Sequence, residues 1–171
     1  IMPTATIIKP SLVYSVDDNF TTKFMSLLSL LPFFPLYYDG KTKFTPIHVS
    51  ELAELIFFVI SKELYSKTIE AIGPEVLTFK EILQILMKCI KKNRILLPLP
   101  LILARLSAFF MQVFPQPPIT QDQINLLKYD NIKSENGITN FDIGCPSSLK
   151  FEETVKDYAF NWTEGGQFSK T

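Results

Sequence analysis

Residues 4–14, TATIIKPSLVY, decide the fold class. The run is β-branched and apolar with little alternation, the pattern of a strand buried on both faces inside a parallel sheet. Pro10 has no N–H to give a ladder, so it belongs at a strand end or bend. A polar turn follows at Asp17, Asp18 and Asn19. Beyond it Phe20, Phe24, Leu27, Leu28 and Leu31 recur at helical spacing until Pro32 stops the helix.

Outward from that strand the chain alternates short extended pieces with helices. Residues 33–38, FFPLYY, hold Pro35 and no period, and read as a packed loop. Asp39-Gly40 marks a turn, residues 43–49 a short strand, and Ser50 a cap for a helix to Ile60. Residues 68–72 read as a second strand closed by Gly73-Pro74. Thr78 and Glu81 form a capping box, with Phe79, Ile82, Leu83, Leu86 and Ile90 as the apolar face behind it. Residues 101–114 predict a strongly apolar helix, ended by Pro115, Pro117 and Pro118. A second capping box, Thr120 with Gln123, opens a helix to about Tyr129, and residues 149–160 predict the last one. Strands separated by helices point to an α/β fold.

The chain has 171 residues, 47% of them apolar and 20% charged, enough for one globular core. Its 17 basic and 17 acidic side chains balance, which leaves no electrostatic footprint for nucleic acid. Cys89 and Cys145 lie far apart and in no ligand spacing, so free thiols in a reducing compartment are expected, with no metal site. No signal-peptide pattern is read at the start. His48, the only histidine, has no partner at ligand spacing and reads as structural. Asp17 and Asp18 read as a turn and cap rather than an acid–base pair. Residues 101–114 are too short for a bilayer span. Their Arg105 and Gln112 on one face leave a core helix, an interfacial helix and the wall of an apolar cleft all open.

Four segments in order resemble the latter half of the extended short-chain dehydrogenase/reductases, the NAD-dependent epimerase/dehydratase superfamily. Residues 6–14 look like the sixth Rossmann strand and its RPxxVYG continuation. Residues 44–53, FTPIHVSELA, look like the family's F-x-P-V-H-V-x-D-V-A segment. Residues 70–79, EAIGPEVLTF, and 117–127, PPITQDQINLL, follow its atypical members. The combination is most similar to the branch of the NADPH-binding accessory subunit of respiratory complex I and its bacterial relatives.

That resemblance implies the C-terminal part of a Rossmann-type NAD(P)-binding fold. Residues 1–19 would be the last part of the sheet, residues 20–162 a mainly helical substrate-side subdomain with short strands, and residues 163–171 a flexible tail. The family cradles the dinucleotide pyrophosphate in a Gly-rich G-x-x-G-x-x-G turn at a helix N-terminus, and none of the six glycines here make it. Its catalytic Tyr-x-x-x-Lys, in which Lys lowers the Tyr pKa, lies on the helix before the strand that opens this sequence, so this chain is expected to lack that spacing. No residue of this chain is therefore expected to be catalytic, and no NAD or NADP is expected to bind the chain alone.

In the intact protein Pro10, Ser11, Leu12 and Val13 would pass the nicotinamide end of NAD or NADP. The family continues Tyr-Gly-Pro where this chain has Tyr14-Ser15-Val16. The function implied is the substrate-side fragment of an oxidoreductase- or epimerase-like protein. The alternative is a non-catalytic interaction or assembly subunit of NADH:ubiquinone oxidoreductase. Expected partners are a Rossmann half or another chain covering residues 4–14, complex I subunits, and an apolar ligand or membrane surface. The compartment implied is the cytoplasm or the mitochondrial matrix, with a peripheral place on the inner membrane.

Overall fold

The structure is a computed structural model that describes residues 4–98 and 125–164. The predicted helix at 101–114, with Arg105 and Gln112, and the Thr120 capping box lie outside the described residues, as does most of the tail. Strand β1 is Ile7–Pro10 and β2 Val13–Tyr14, followed by helix α1, Thr21–Leu30. Then come β3 (Phe33–Leu36), a 3-10 turn (Tyr37–Gly40), β4 (Lys43–Phe44) and β5 (Ile47–His48). Helix α2 is Val49–Ser61, β6 Thr68–Ala71, β7 Leu77–Thr78, α3 Phe79–Cys89 and β8 Ile95–Pro98. Strand β9 (Ile138–Thr139) and helix α4 (Phe151–Ala159) complete the described elements, and a 3-10 turn (Phe160–Trp162) follows α4.

Strands β1, β6 and β9 form a parallel sheet in that order, with Ile8 beside Ile69 and Ile69 beside Ile138. So among the described residues β1 has one neighbour in this chain, β6, which its sequence did not disclose. Nor is it buried on both faces: Ile7, Lys9 and Pro10 are exposed. The physical reason is position. Ile7 and Ser11 send their N–H groups to Lys67 and Ala71 beside β6, so by the two-residue alternation Ile8 and Pro10 face away from β6, along the other edge of β1. Among the described residues that edge carries no strand.

Two cores result. Helix α2 lays Leu55 and Val59 on the sheet over Ile69 and Ala71. The larger core joins α1, α3 and α4 around Phe24, Phe79, Leu83 and Phe151. The Thr78–Glu81 capping box predicted for α3 is present, both halves bonded. Helix α2 is capped two residues earlier than read. His48 takes the cap, its Nδ1 accepting from the Ser50 N–H at 3.3 Å and facing the Ser50 hydroxyl at 2.7 Å. The 33–38 stretch read as loop supplies β3, which pairs in parallel with β8. Its partner lies far along the chain, so no local period announces it.

Candidate functional site

The segment from Pro10 to Tyr14 is clamped on several sides. The Ser11 N–H donates to Ala71 O at 3.0 Å, and Ile47 N–H donates to Leu12 O at 2.9 Å. The Ser11 hydroxyl donates to Asn131 O at 2.7 Å and accepts from the Thr45 N–H at 3.1 Å. The 130–131 segment is held in turn by Asn131 N–H to Lys43 O, 2.8 Å, and by Lys43 N–H to Asp130 Oδ1, 2.9 Å. Gly73 closes the back: its N–H donates to Thr45 O, and a Cβ there would sit 1.6 Å from Pro46 O, so only glycine lets the two backbones approach.

This clamp sorts the four residues expected near a dinucleotide. Ser11 has its hydroxyl committed on both sides, and Val13 packs into the α2 core. Pro10 is exposed with its carbonyl toward the outer edge of β1. Leu12 lines a cavity of about 390 Å³. The rest of the cavity wall is mainly aromatic (Phe20, Phe24, Phe44, Phe79, Tyr129) with Leu126 and Leu127, and Asn19, Lys23, Asp130 and Asn131 are its polar points. An apolar recess with a few polar groups suits a flat or aliphatic ligand. Nothing in the four residues offers the row of N–H donors a pyrophosphate needs.

The remaining sequence candidates resolve into structure. Asp18 accepts from the N–H groups of Ser15, Phe20 and Thr21 and from the Thr21 hydroxyl, ordering the entry to α1. Tyr14 is fully buried, edge-on to His48 and Phe151 at 5.3 and 4.8 Å, and burial pushes its hydroxyl up to about 12. Burial also raises Cys89, to about 11, and Cys145, so neither thiol is an activated nucleophile. Both are free. Among the described residues no group of three or more His, Cys, Asp or Glu is placed to hold a metal.

The Tyr-x-x-x-Lys spacing does occur, twice, against the expectation that the chain lacks it: Tyr37 with Lys41 and Tyr129 with Lys133. Neither pair is a helical one. Tyr37 is buried at the start of the 3-10 turn while Lys41 Nζ reaches Asp39 at 3.4 Å. Tyr129 lines the cavity, but Lys133 Nζ pairs with Asp142 at 3.2 Å and the cation over the Tyr129 ring is Lys128, at 5.6 Å. In neither pair do the tyrosine and lysine sit one turn apart on a common α-helix.

Sequence reasoning missed Glu51 and Glu75. Glu51 is buried, and its Oε1 accepts from the N–H groups of Ser148 and Leu149, while Glu75 Oε2 accepts from Phe151 N–H at 3.1 Å. Together they fix the entry to α4. Glu51 stands where the resembling segment has its Asp, and that was the one available signal.

Structures with this arrangement are known. The chain superposes on the UDP-glucose 4-epimerase of Thermus thermophilus in complex with NAD with a TM-score of 0.61 at 14% identity, over 93% of this chain and 46% of that one. This chain has the extended short-chain dehydrogenase/reductase fold. In sequence it is similar to the mitochondrial NADH dehydrogenase (ubiquinone) 1 alpha subcomplex subunit 9 of Arabidopsis thaliana, 30% identical over 161 residues. That alignment covers 87% of this chain and 40% of the plant subunit, so the chain spans well under half of its relative's length. The same subunit of Dictyostelium discoideum is 31% identical over 87 residues, covering 50% of this chain and 24% of the relative. No family model matches the chain.

Proposed function

We propose that the chain is the substrate-side part of an NAD(P)-binding protein that serves as an accessory subunit of mitochondrial NADH:ubiquinone oxidoreductase. The observation that carries this reading is the alignment with subunit 9 over 87% of the chain. The outer edge of β1 supports it. Ile8 and Pro10 turn their backbone groups away from β6, and a parallel Rossmann half, in the same polypeptide or a partner, is the natural complement. That half would hold the dinucleotide phosphates. This chain would then contribute Pro10 and Leu12 beside the nicotinamide end, with Ser11 and Val13 keeping the loop in place. The subunit would sit in the matrix, peripheral to the inner membrane; among the described residues no helix is long and apolar enough to cross one.

Tagging the protein in its own organism and purifying it gently tests the reading. Co-elution with NADH:ubiquinone oxidoreductase activity and its core subunits is the expected result. A soluble protein running free of them sinks the accessory role.

The aromatic recess favours a second reading, in which the intact protein turns over an apolar or nucleotide-linked substrate. Substrate-dependent NAD(P)H consumption by the purified intact protein would decide for it.

A further inference from the structure

Helices α1 and α3 both begin at the aromatic recess. Phe20, the cap residue of α1, and Phe79, the first residue of α3, line the cavity of about 390 Å³. An open helix N-terminus there would offer a phosphate its N–H groups and the positive end of the dipole. In this chain both starts are capped by its own oxygens. Asp18 Oδ1 accepts from the N–H groups of Phe20 and Thr21 at 2.6 and 2.5 Å, so a carboxylate already sits on donors a phosphate would use. At α3 the Phe79 N–H donates to Thr42 O at 2.8 Å and the Glu81 N–H to Thr78 Oγ1 at 3.2 Å. Glu81 Oε2 accepts in turn from the Thr78 N–H at 2.7 Å, which fixes a second negative charge at that start.

The walls carry the same preference. Phe20, Phe24 and Phe79 pack edge to face, their ring centroids 4.7, 5.5 and 6.4 Å apart, and Leu12, Phe44 and Tyr129 extend that apolar surface. Among the described lining residues Lys23 is the one cation and Asp130 the one carboxylate. One lysine offset by an aspartate is a poor match for a diphosphate, which arginine forks or paired cations bind. The one arginine among the described residues, Arg94, is held on the Leu28 and Ser29 carbonyls at 2.7 and 3.0 Å.

We infer that the recess binds a flat apolar ligand that carries no phosphate, and that it excludes nucleotide-linked ones. The aromatic walls favour burial of a ring system, whereas the carboxylates at the starts of α1 and α3 repel an anion brought beside it. The inference rests on the second reading above and narrows its substrate to one class. Binding without turnover would leave the inference standing and end that reading.

The test is fluorescence anisotropy of 2-naphthol and of 2-naphthyl phosphate, which share one ring system, titrated with the full chain at neutral pH. Saturable binding of 2-naphthol is expected at roughly 0.1 mM, with no displacement by millimolar UDP-glucose. The phosphate should bind at least about tenfold more weakly. Leu126→Gln/Tyr129→Ser changes two exposed lining residues and should weaken 2-naphthol about tenfold. Asp18→Asn/Asp130→Asn keeps an acceptor oxygen at each position, removes both charges, and should bring the phosphate to within about threefold of 2-naphthol. Unchanged far-ultraviolet circular dichroism confirms that a variant is folded; if the Asp18 pair is not, the two probes and the Leu126 pair still decide. No saturable 2-naphthol binding, the phosphate or UDP-glucose bound as tightly, or full binding by the folded Leu126→Gln/Tyr129→Ser variant overturns the inference.

Discussion

Replacing Ser11 by alanine removes one oxygen that does two jobs. It donates to Asn131 O at 2.7 Å and accepts from the Thr45 N–H at 3.1 Å. Thr45 is buried, so its N–H is left without that partner where water does not easily reach. The lost neutral hydrogen bond costs about 1 kcal/mol and the stranded donor about 1–3 kcal/mol. Asn131 is exposed, so its carbonyl recovers a water and adds little. The expected loss is about 2–4 kcal/mol, which for a chain of this size lowers Tm by roughly 5–15 °C.

Urea unfolding followed by the single tryptophan reads this directly, because Trp162 is held by Nε1 donating to Ser26 Oγ at 2.8 Å. Ser15→Ala is the control: among the described residues its hydroxyl accepts from the exposed Asp17 N–H at 3.3 Å, and its loss should cost under about 0.5 kcal/mol. If Ser11→Ala is no more costly than Ser15→Ala at unchanged m-value, the clamp around the 10–14 loop is not what holds it.

Gly73→Ala should cost about 3 kcal/mol by the same assay, since the new Cβ would fall 1.6 Å from Pro46 O and the backbone must move. Stability should also fall at both ends of the pH range. Hydrogen bonds from Thr139 hold Asp142 down from 3.8 to about 2, and Lys156 and Lys88 hold Glu152 down from 4.5 to about 2. Both contributions are complete above about 4.5 and are lost as pH falls to about 2. Tyr14, raised by burial from 10.0 to about 12, removes stability as pH rises through that interval. Urea midpoints across pH check both limbs; a midpoint unchanged between pH 5 and pH 2 would contradict the acid one.

What the sequence disclosed was mostly local. Pro32 ended α1 two residues after its last helical residue, and Thr78 with Glu81 announced the start of α3, because capping and proline chemistry act within one turn. What it hid depends on distant partners. Strand β3 becomes a strand through β8, some sixty residues on, and β1 finds β6 at a similar separation. His48 displaced Ser50 as the α2 cap because its ring nitrogen substitutes for the hydroxyl oxygen, a choice that propensity does not foresee. Of the site, Leu12 could be read through family resemblance. Its cavity could not, since Phe44, Phe79 and Tyr129 meet there only once the chain has folded.

The division of labour proposed here leaves the phosphate cradle outside this chain and the nicotinamide-side wall within it. Isothermal titration of the chain with NADH and NADPH tests that most directly. No heat beyond dilution up to about millimolar dinucleotide is the expected result. Saturable binding at micromolar concentration would contradict it, because the 10–13 loop and the apolar recess would then have to supply a pyrophosphate site of their own.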